Sequence, residues 1–371
     1  MSSNLILTTP TQDELTEIWT SSHPSWGAAL SLQGYIEREN RQVDIPLARN
    51  GGLSRWILTD ESGLGPRPVL SSLETLKKRG LVRDPASGVR EVTVHGVASV
   101  FTDDKFRRKG YAGAMMNLLG EALQAKENNL AGDAHFSILY SDIGKAFYAK
   151  SGWKPFESSH LEFPASSTAT TSSANLKTIG PDDLPSLAEA DEALLRKKLA
   201  DTPPSSKALV AVLPELDQFL WHTTRESLQC EQLLSRKPAT HGVVYTSPTS
   251  PSSRVWAIWK RNHSGLTSQP EKNTLFILRF VVENESMGDE ELSSAIEAIV
   301  TAARKEAAEW ACGKVEMWNP SDRVRRLSEK NDQLGAKYVV RESDSISSLR
   351  WHGAGSVDDV EWIANEKYAW C

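Results

Sequence analysis

Over the first 160 residues, short apolar or alternating runs are separated by polar breaks in a regular order. Residues 5–8 read as a strand, and Thr11 with Glu14 forms the capping-box pattern that opens a helix. A loop is expected at 21–27 and a second helix from 31 to about 39. Neighbouring strands follow at 55–59 and 69–77 across a Gly/Pro-rich connection, and a long strand at 91–101. Ala112, Met115, Met116, Leu119, Ala122 and Leu123 recur at i, i+3, i+4, i+7 steps, which predicts a helix to about residue 125. A further strand leads into a short helix and then to Tyr148, Gly152 and Trp153.

The second half repeats this pattern less distinctly. Helices are expected at 181–198 and 213–234, and strands at 242–245, 254–260 and 273–282. A long helix at 289–312 precedes a strand at 314–318 and a helix from Ser321, and strands at 338–340 and 347–351 close the sheet. Between the halves, residues 164–175 are almost entirely Ser, Thr and Ala, with little to bury, and read as a linker. The expected division is 1–163, 164–175 and 176–371. Two domains are also the prior for 371 residues.

Composition narrows the function. The chain is 39% hydrophobic and 24% charged, and a net charge of −6 argues against nucleic acid while suiting a cationic substrate. Cys230, Cys312 and Cys371 have no metal-ligand spacing and read as reduced thiols of a cytoplasmic protein, with no metal expected. No basic leader precedes an apolar run at the N-terminus, and no stretch is long and apolar enough to span a membrane. The oligomeric state is left open.

The chemistry concentrates at 97–113, where an apolar strand stops at two aspartates and a basic, glycine-containing loop enters a helix. Free N–H groups at a helix start suit an anion, Gly110 allows close backbone approach, and Arg107, Arg108 and Lys109 surround the site with positive charge. A basic turn before an ordinary core helix is the plainer alternative. Neither a Walker loop nor a dinucleotide fingerprint is present.

Arg107-x-x-Gly110-x-Ala112 after a strand resembles the central motif of the GNAT acetyltransferase superfamily, and Tyr148-x-x-x-Gly152-Trp153 resembles its second motif. The resemblance implies an α/β (α+β) fold with a mixed central sheet flanked by helices. A second, degenerate GNAT-like domain would complete the substrate pocket, since its corresponding turn, 283–288, is acidic and lacks the glycine motif. It also implies acetyl-coenzyme A as co-substrate, its pyrophosphate on Arg107, Arg108, Lys109, Gly110, Tyr111, Ala112 and Gly113. Val100, Phe101 and Thr102 would lie beside the pantetheine arm.

Direct transfer through a tetrahedral intermediate would use the Val100 N–H as oxyanion donor, and such a donor is often worth roughly 3 kcal/mol. Tyr148, protonated at neutral pH, would be the general acid, or else would only pack its helix on the sheet. Ser141 stands where many members carry a cofactor-contacting asparagine. The glutamate that several members carry on the central strand is replaced here by Gly96. His95, Glu91 and the C-terminal carboxylate of Cys371 are therefore the candidate bases, the last because an aromatic tail is expected to dock.

Four segments resemble the fungal lysine N6-acetyltransferases of lysine catabolism: 24–27 (Pro-Ser-Trp-Gly), 70–76, 139–144 and the Lys-Tyr-Ala-Trp-Cys ending. This implies a small-molecule amine acceptor, the ε-amine of L-lysine, with Trp26, Glu74 and His95 as acceptor contacts. An acetyltransferase for a xenobiotic, polyamine or secondary-metabolite amine remains open, as does a non-catalytic acyl-CoA-binding protein.

Overall fold

A computed structural model describes residues 4–60, 67–84, 88–125, 134–168, 175–203, 206–251 and 253–371. The first half runs β1 (Leu5–Thr8), α1 (Gln12–Trp26), α2 (Leu32–Arg41), β2 (Leu53–Asp60), β3 (Ser71–Asp84), β4 (Gly88–Phe101) and α3 (Tyr111–Gln124). β5 (Ala134–Ser141), α4 (Ala146–Ala149), β6 (Lys154–Pro155) and β7 (Ser159–Pro164) complete it. The second half begins with β8 (Leu176–Ile179), α5 (Leu184–Asp201), β9 (Ala208–Val212), α6 (Leu216–Leu234), β10 (Gly242–Thr246) and β11 (Arg254–His263). It continues through β12 (Asn273–Val282), α7 (Asp289–Glu309), β13 (Lys314–Trp318), α8 (Asp322–Lys330), β14 (Lys337–Val340), β15 (Ile346–Trp351) and β16 (Val360–Trp362).

Two mixed sheets result. The first has the order β1-β2-β3-β4-β5-β15-β6, with β9 added to the far half of β3 and β16 to β9; the second is β14-β7-β13-β12-β11-β10-β8. Each sheet contains one parallel pair at its centre, β4 with β5 and β12 with β13. The stripe expected on α3 is its core face: Met115, Met116, Leu119 and Leu123 are buried against Trp56, Leu73, Val97 and Leu139 of the first sheet.

The sheets do not part at the expected boundary. β7, from before residue 164, lies between β13 and β14 of the second sheet, and β15, from the second half, lies between β5 and β6 of the first. The halves thus exchange equivalent strands. The reason the boundary misleads is that strand character is local, whereas sheet membership depends on distant partners. A shared core seals the exchange, in which Val94, Phe136 and Ile138 of the first sheet meet Trp256, Ile258 and Leu278 of the second through Leu187, Phe219 and Tyr368. The loop expected at 21–27 is instead mostly the last turns of α1, with Pro24 inside the helix.

Candidate active site

Parallel pairing of β4 with β5 runs only from Thr93/Ala134 to Gly96/Ile138. Beyond that point Val97–Phe101 continue without a β5 partner, while β5 keeps its pairing with β15 on its other edge as far as Ser141. An extra residue bulges β4 in the same place, between the pairs Glu74/Ala98 and Ser72/Phe101, and Ser99 takes a positive φ of 53°. A bulge beside an open strand edge re-aims backbone N–H groups, here at the stretch containing Val100.

The loop after β4 carries positive φ at Arg108 (62°) and Gly110 (84°) with Lys109 between them, a backbone alternation typical of anion-binding nests. Gly110 is the N-cap of α3 with no side-chain cap, so the N–H groups of Tyr111, Ala112 and Gly113 face outward from the first turn. A Cβ added at Gly110 or Gly113 would meet no atom within 4 Å. Arg107, Arg108 and Lys109 are exposed around this opening. Arg107 is braced by Asp104 at 2.6 Å and by the Thr102 carbonyl at 3.0 Å, which leaves Arg108 and Lys109 to meet an incoming anion. Chain conformation, open space and charge all fit a pyrophosphate.

Tyr148 is buried in the α3-side core beneath the splay, packed with Val97 and Leu139, and burial raises its phenol above the ordinary range. It is therefore neutral throughout the physiological range and able only to donate its proton. Ser141 is buried with its hydroxyl donating to the Gly144 carbonyl at 2.7 Å, so that group is engaged in shaping the turn.

On the opposite face, Trp19, Trp26, Tyr35, Glu39, Arg55, Glu74 and Ser99 line a narrow cavity. Trp26 meets Phe101 edge-on at 5.6 Å, so this mouth lies beside the splayed strand. Glu74 receives Ser99 Oγ at 2.8 Å and Arg55 Nε at 2.9 Å, which ties the bulge to the cavity floor. Tyr35 and Glu39, one turn apart on α2, were not anticipated; their spacing on one helix face was the only available signal. Burial, reinforced by Glu39, lifts the Tyr35 phenol to about 12.

Two expected residues lie elsewhere. His95 sits between Val94 and Gly96 in the pleat, on the α3 side with Val97, and acts electrostatically on His352. Strand alternation separates it from the acceptor cavity. Glu91 is held by Arg79 at 2.7 Å and Arg196 at 2.7 Å near the start of β4, and the Arg79 hydrogen bond leads in drawing its carboxyl down to about 2. So acidic a group is a poor base.

The tail is docked, as its aromatic composition suggested. Tyr368 donates to the Val212 carbonyl at 2.7 Å, His222 contacts the Tyr368 carbonyl at 2.9 Å, and Lys78 Nζ donates to the Ala369 carbonyl at 2.9 Å. Cys371 then rests on the central strand: a Cβ at Gly96 would stand 2.1 Å from its Sγ. All three cysteines are free and buried, and His160, Glu162 and Glu316 gather on β7 and β13 with the Lys314 ammonium already between the two acids.

A family model described as the LYC1 GNAT-like C-terminal domain matches residues 160–371. The chain belongs to this family. It is an N-acetyltransferase that uses acetyl-coenzyme A. A protein of Yarrowia lipolytica named lysine acetyltransferase is 20% identical over 97% of this chain and 98% of its own length. Among solved structures, an Anabaena variabilis GCN5-related N-acetyltransferase matches with a TM-score of 0.52 at 14% identity, covering 94% of this chain and 73% of the other. Saccharomyces cerevisiae N-myristoyltransferase matches with a TM-score of 0.57 at 8% identity, covering 96% and 82%. These structural likenesses concern the fold of the acetyltransferase. Among its described residues, no helix is long and apolar enough to cross a membrane.

Proposed function

We propose that this acetyltransferase moves an acetyl group from acetyl-coenzyme A to the ε-amine of L-lysine. The observation that carries the reading is the cavity of Trp19, Trp26, Tyr35, Glu39 and Glu74, which opens beside the Ser99 bulge on the face covered by the second half. A narrow aromatic pocket with Glu39 and Glu74 in its wall suits a small cationic stem better than a peptide. The name of the Yarrowia relative, whose whole length aligns, points the same way.

In this reading Arg108, Lys109 and the first N–H groups of α3 hold the pyrophosphate. The Val100 N–H, on the unpaired edge of β4, faces the thioester oxygen as negative charge develops there. Glu74, fixed by Arg55 and Ser99, orients the amine. Tyr148 gives its proton to the departing thiolate. The carboxyl group of Cys371, whose side chain the docked tail brings to Gly96, takes the amine proton in place of the strand glutamate.

Release of coenzyme A thiol, followed with L-lysine and a panel of other primary amines, tests the assignment. Turnover highest on L-lysine, with N6-acetyl-lysine as product by mass spectrometry, is expected. Turnover confined to other amines would replace the acceptor and keep the transferase chemistry.

A further inference from the structure

Where the tail packs between the splayed strand and the second half, an aromatic cluster around Trp370 carries charges that do not balance. Lys260 of β11 and Lys367 of the tail are 7% and 5% exposed, yet among the described residues neither ammonium has a hydrogen-bond or ion-pair partner. Both lie on the indole of Trp370, at 5.1 and 4.3 Å from its centre, and the Arg225 guanidinium of α6 approaches the same ring at 5.9 Å. Among the described residues no side-chain carboxylate stands within 4.0 Å of these three groups.

The acids that act on them from farther away are engaged elsewhere. Glu226 is paired with Arg261, Glu316 with Lys314 and Trp318, and Asp142 with the Ser345 N–H. Lys78, by contrast, is satisfied by Gln218 and the Ala369 carbonyl, and His222 by the Tyr368 carbonyl. Lys367 also lies over Trp318 at 3.9 Å and Phe276 at 4.5 Å, and Arg225 over Trp221 at 4.9 Å, but aromatic faces offset only part of the cost of burying such charges. Basic groups that converge on Trp370 without a carboxylate partner are suited to an anion.

This cluster adjoins the acceptor cavity. Arg225 feels Glu39, Glu74 and Tyr35, which line that cavity, and α6 packs on α2 where Gln232 Nε2 donates to the Gly34 carbonyl. The cavity acids already have partners of their own: Glu39 is bound by Arg38 and Gln42, and Glu74 by Arg55 and Ser99. The pyrophosphate loop lies at the start of α3, so coenzyme A phosphates are accounted for separately.

We propose that Lys260, Lys367 and Arg225 bind the carboxylate of an amino-acid acceptor whose distal amine reaches the splayed strand. The assignment deepens the lysine reading and rests on it for the identity of the amine. It makes the second half a specificity element, since Lys260, Lys367 and Arg225 all come from it.

Pairs of acceptors that differ only in the carboxylate test this: L-lysine against 1,5-diaminopentane, and L-ornithine against 1,4-diaminobutane. Each is titrated calorimetrically into the full chain saturated with coenzyme A, and thiol release is measured separately. A charge-assisted contact predicts that the carboxylated member of at least one pair binds about 10- to 100-fold tighter. Lys260→Met should collapse that ratio towards one, and Arg225→Gln should lower it, with folding of each variant checked by circular dichroism. A wild type without preference in either pair overturns the proposal, as does a Lys260→Met variant that keeps the ratio. Carboxylate preference without lysine turnover would keep this site and remove the lysine assignment. Lysine turnover with an unchanged ratio in the variant would do the reverse.

Discussion

Replacing Lys260 by Met should make the protein more stable and its acceptor binding worse. Burial draws the Lys260 ammonium from an ordinary 10.5 to about 7, with Arg225 and Arg38 adding to the effect and Glu226 opposing it. Because the folded-state value is the lower one, this lysine contributes its full share of stability only above pH 10.5. That share is lost progressively as the pH falls through 7. At about 1.36 kcal/mol for each pH unit of lowering, the cost is roughly 5 kcal/mol below pH 7. It is about 4 at pH 7 and about 1.4 at pH 9.5. Met keeps the stem against Trp370 and removes the charge; the cation–aromatic attraction acts only on the charged form and is part of what sets the folded-state value. The variant should therefore gain about 4 kcal/mol over wild type at pH 7, and this margin should shrink by about 3 kcal/mol on going to pH 9.5. Urea unfolding of both proteins at the two pH values, compared at equal slope, reads the difference, and titrations common to both proteins cancel. Parallel pH curves, or a variant no more stable at pH 7, would show that the ammonium has a partner and refute the argument. Saturating L-lysine should narrow the gap at pH 7, because only wild type gains the full binding energy.

Three further substitutions examine other parts of the site. Gly110→Asp places a side chain at φ 84° and a negative charge on the anion nest, so coenzyme A affinity should fall by at least about 100-fold by calorimetry; undiminished affinity would remove the loop assignment. Tyr148→Phe should lower kcat by about 100-fold while coenzyme A affinity stays within a few-fold, and a wild-type rate would mean that the thiolate takes its proton from another group. Gly96→Ala would set a methyl 2.1 Å from Cys371 Sγ, and the expected result is a displaced tail, protease-sensitive after residue 365, with turnover lost and coenzyme A binding retained. A tail that stays protected in that variant would contradict the docking.

What the chain displays most openly is its local chemistry. The step from apolar strand to basic loop to periodic helix is carried by adjacent residues, and α3 begins within one residue of the expected position. Gly152 and Trp153 likewise follow α4 directly. The strand exchange is of another kind. Residues 159–164 and 346–351 read as strands whichever sheet receives them, and only the register pairing them with β13 and β5 decides their place. β9 was hidden for a related reason: Ala208–Val212 is an unbroken apolar run buried on both faces, which periodicity cannot tell from the approach to α6. The misplacement of His95 was a matter of parity, since one residue along a strand changes its face. The cations around Trp370 lie on α6, β11 and the tail, far apart in sequence and each unremarkable alone.

The second half preserves the geometry of the donor half while losing its chemistry. β12 leaves β13 after Ile277/Met317, and it carries an extra residue at Leu278 against β11, so its outer end is splayed and bulged like that of β4. Nothing there suits a pyrophosphate, because α7 opens with Asp289, Glu290 and Glu291. The open edge is instead filled by the tail: Glu366 accepts the Phe280 N–H at 2.9 Å and pairs with Arg279, whose other side is held by Asp191. A protein carboxylate thus occupies the kind of unpaired strand edge that, in the first half, is proposed to receive the thioester. From this anchor five residues carry the chain across the shared core to Cys371 on Gly96, bringing Lys367 over the Trp370 ring on the way. An open strand edge that no longer binds a cofactor would be a liability if left bare. Filled by Glu366, it becomes the fixed point from which the acceptor side of the other active site is built, and this gives the degenerate half a reason to keep its splay after losing its loop.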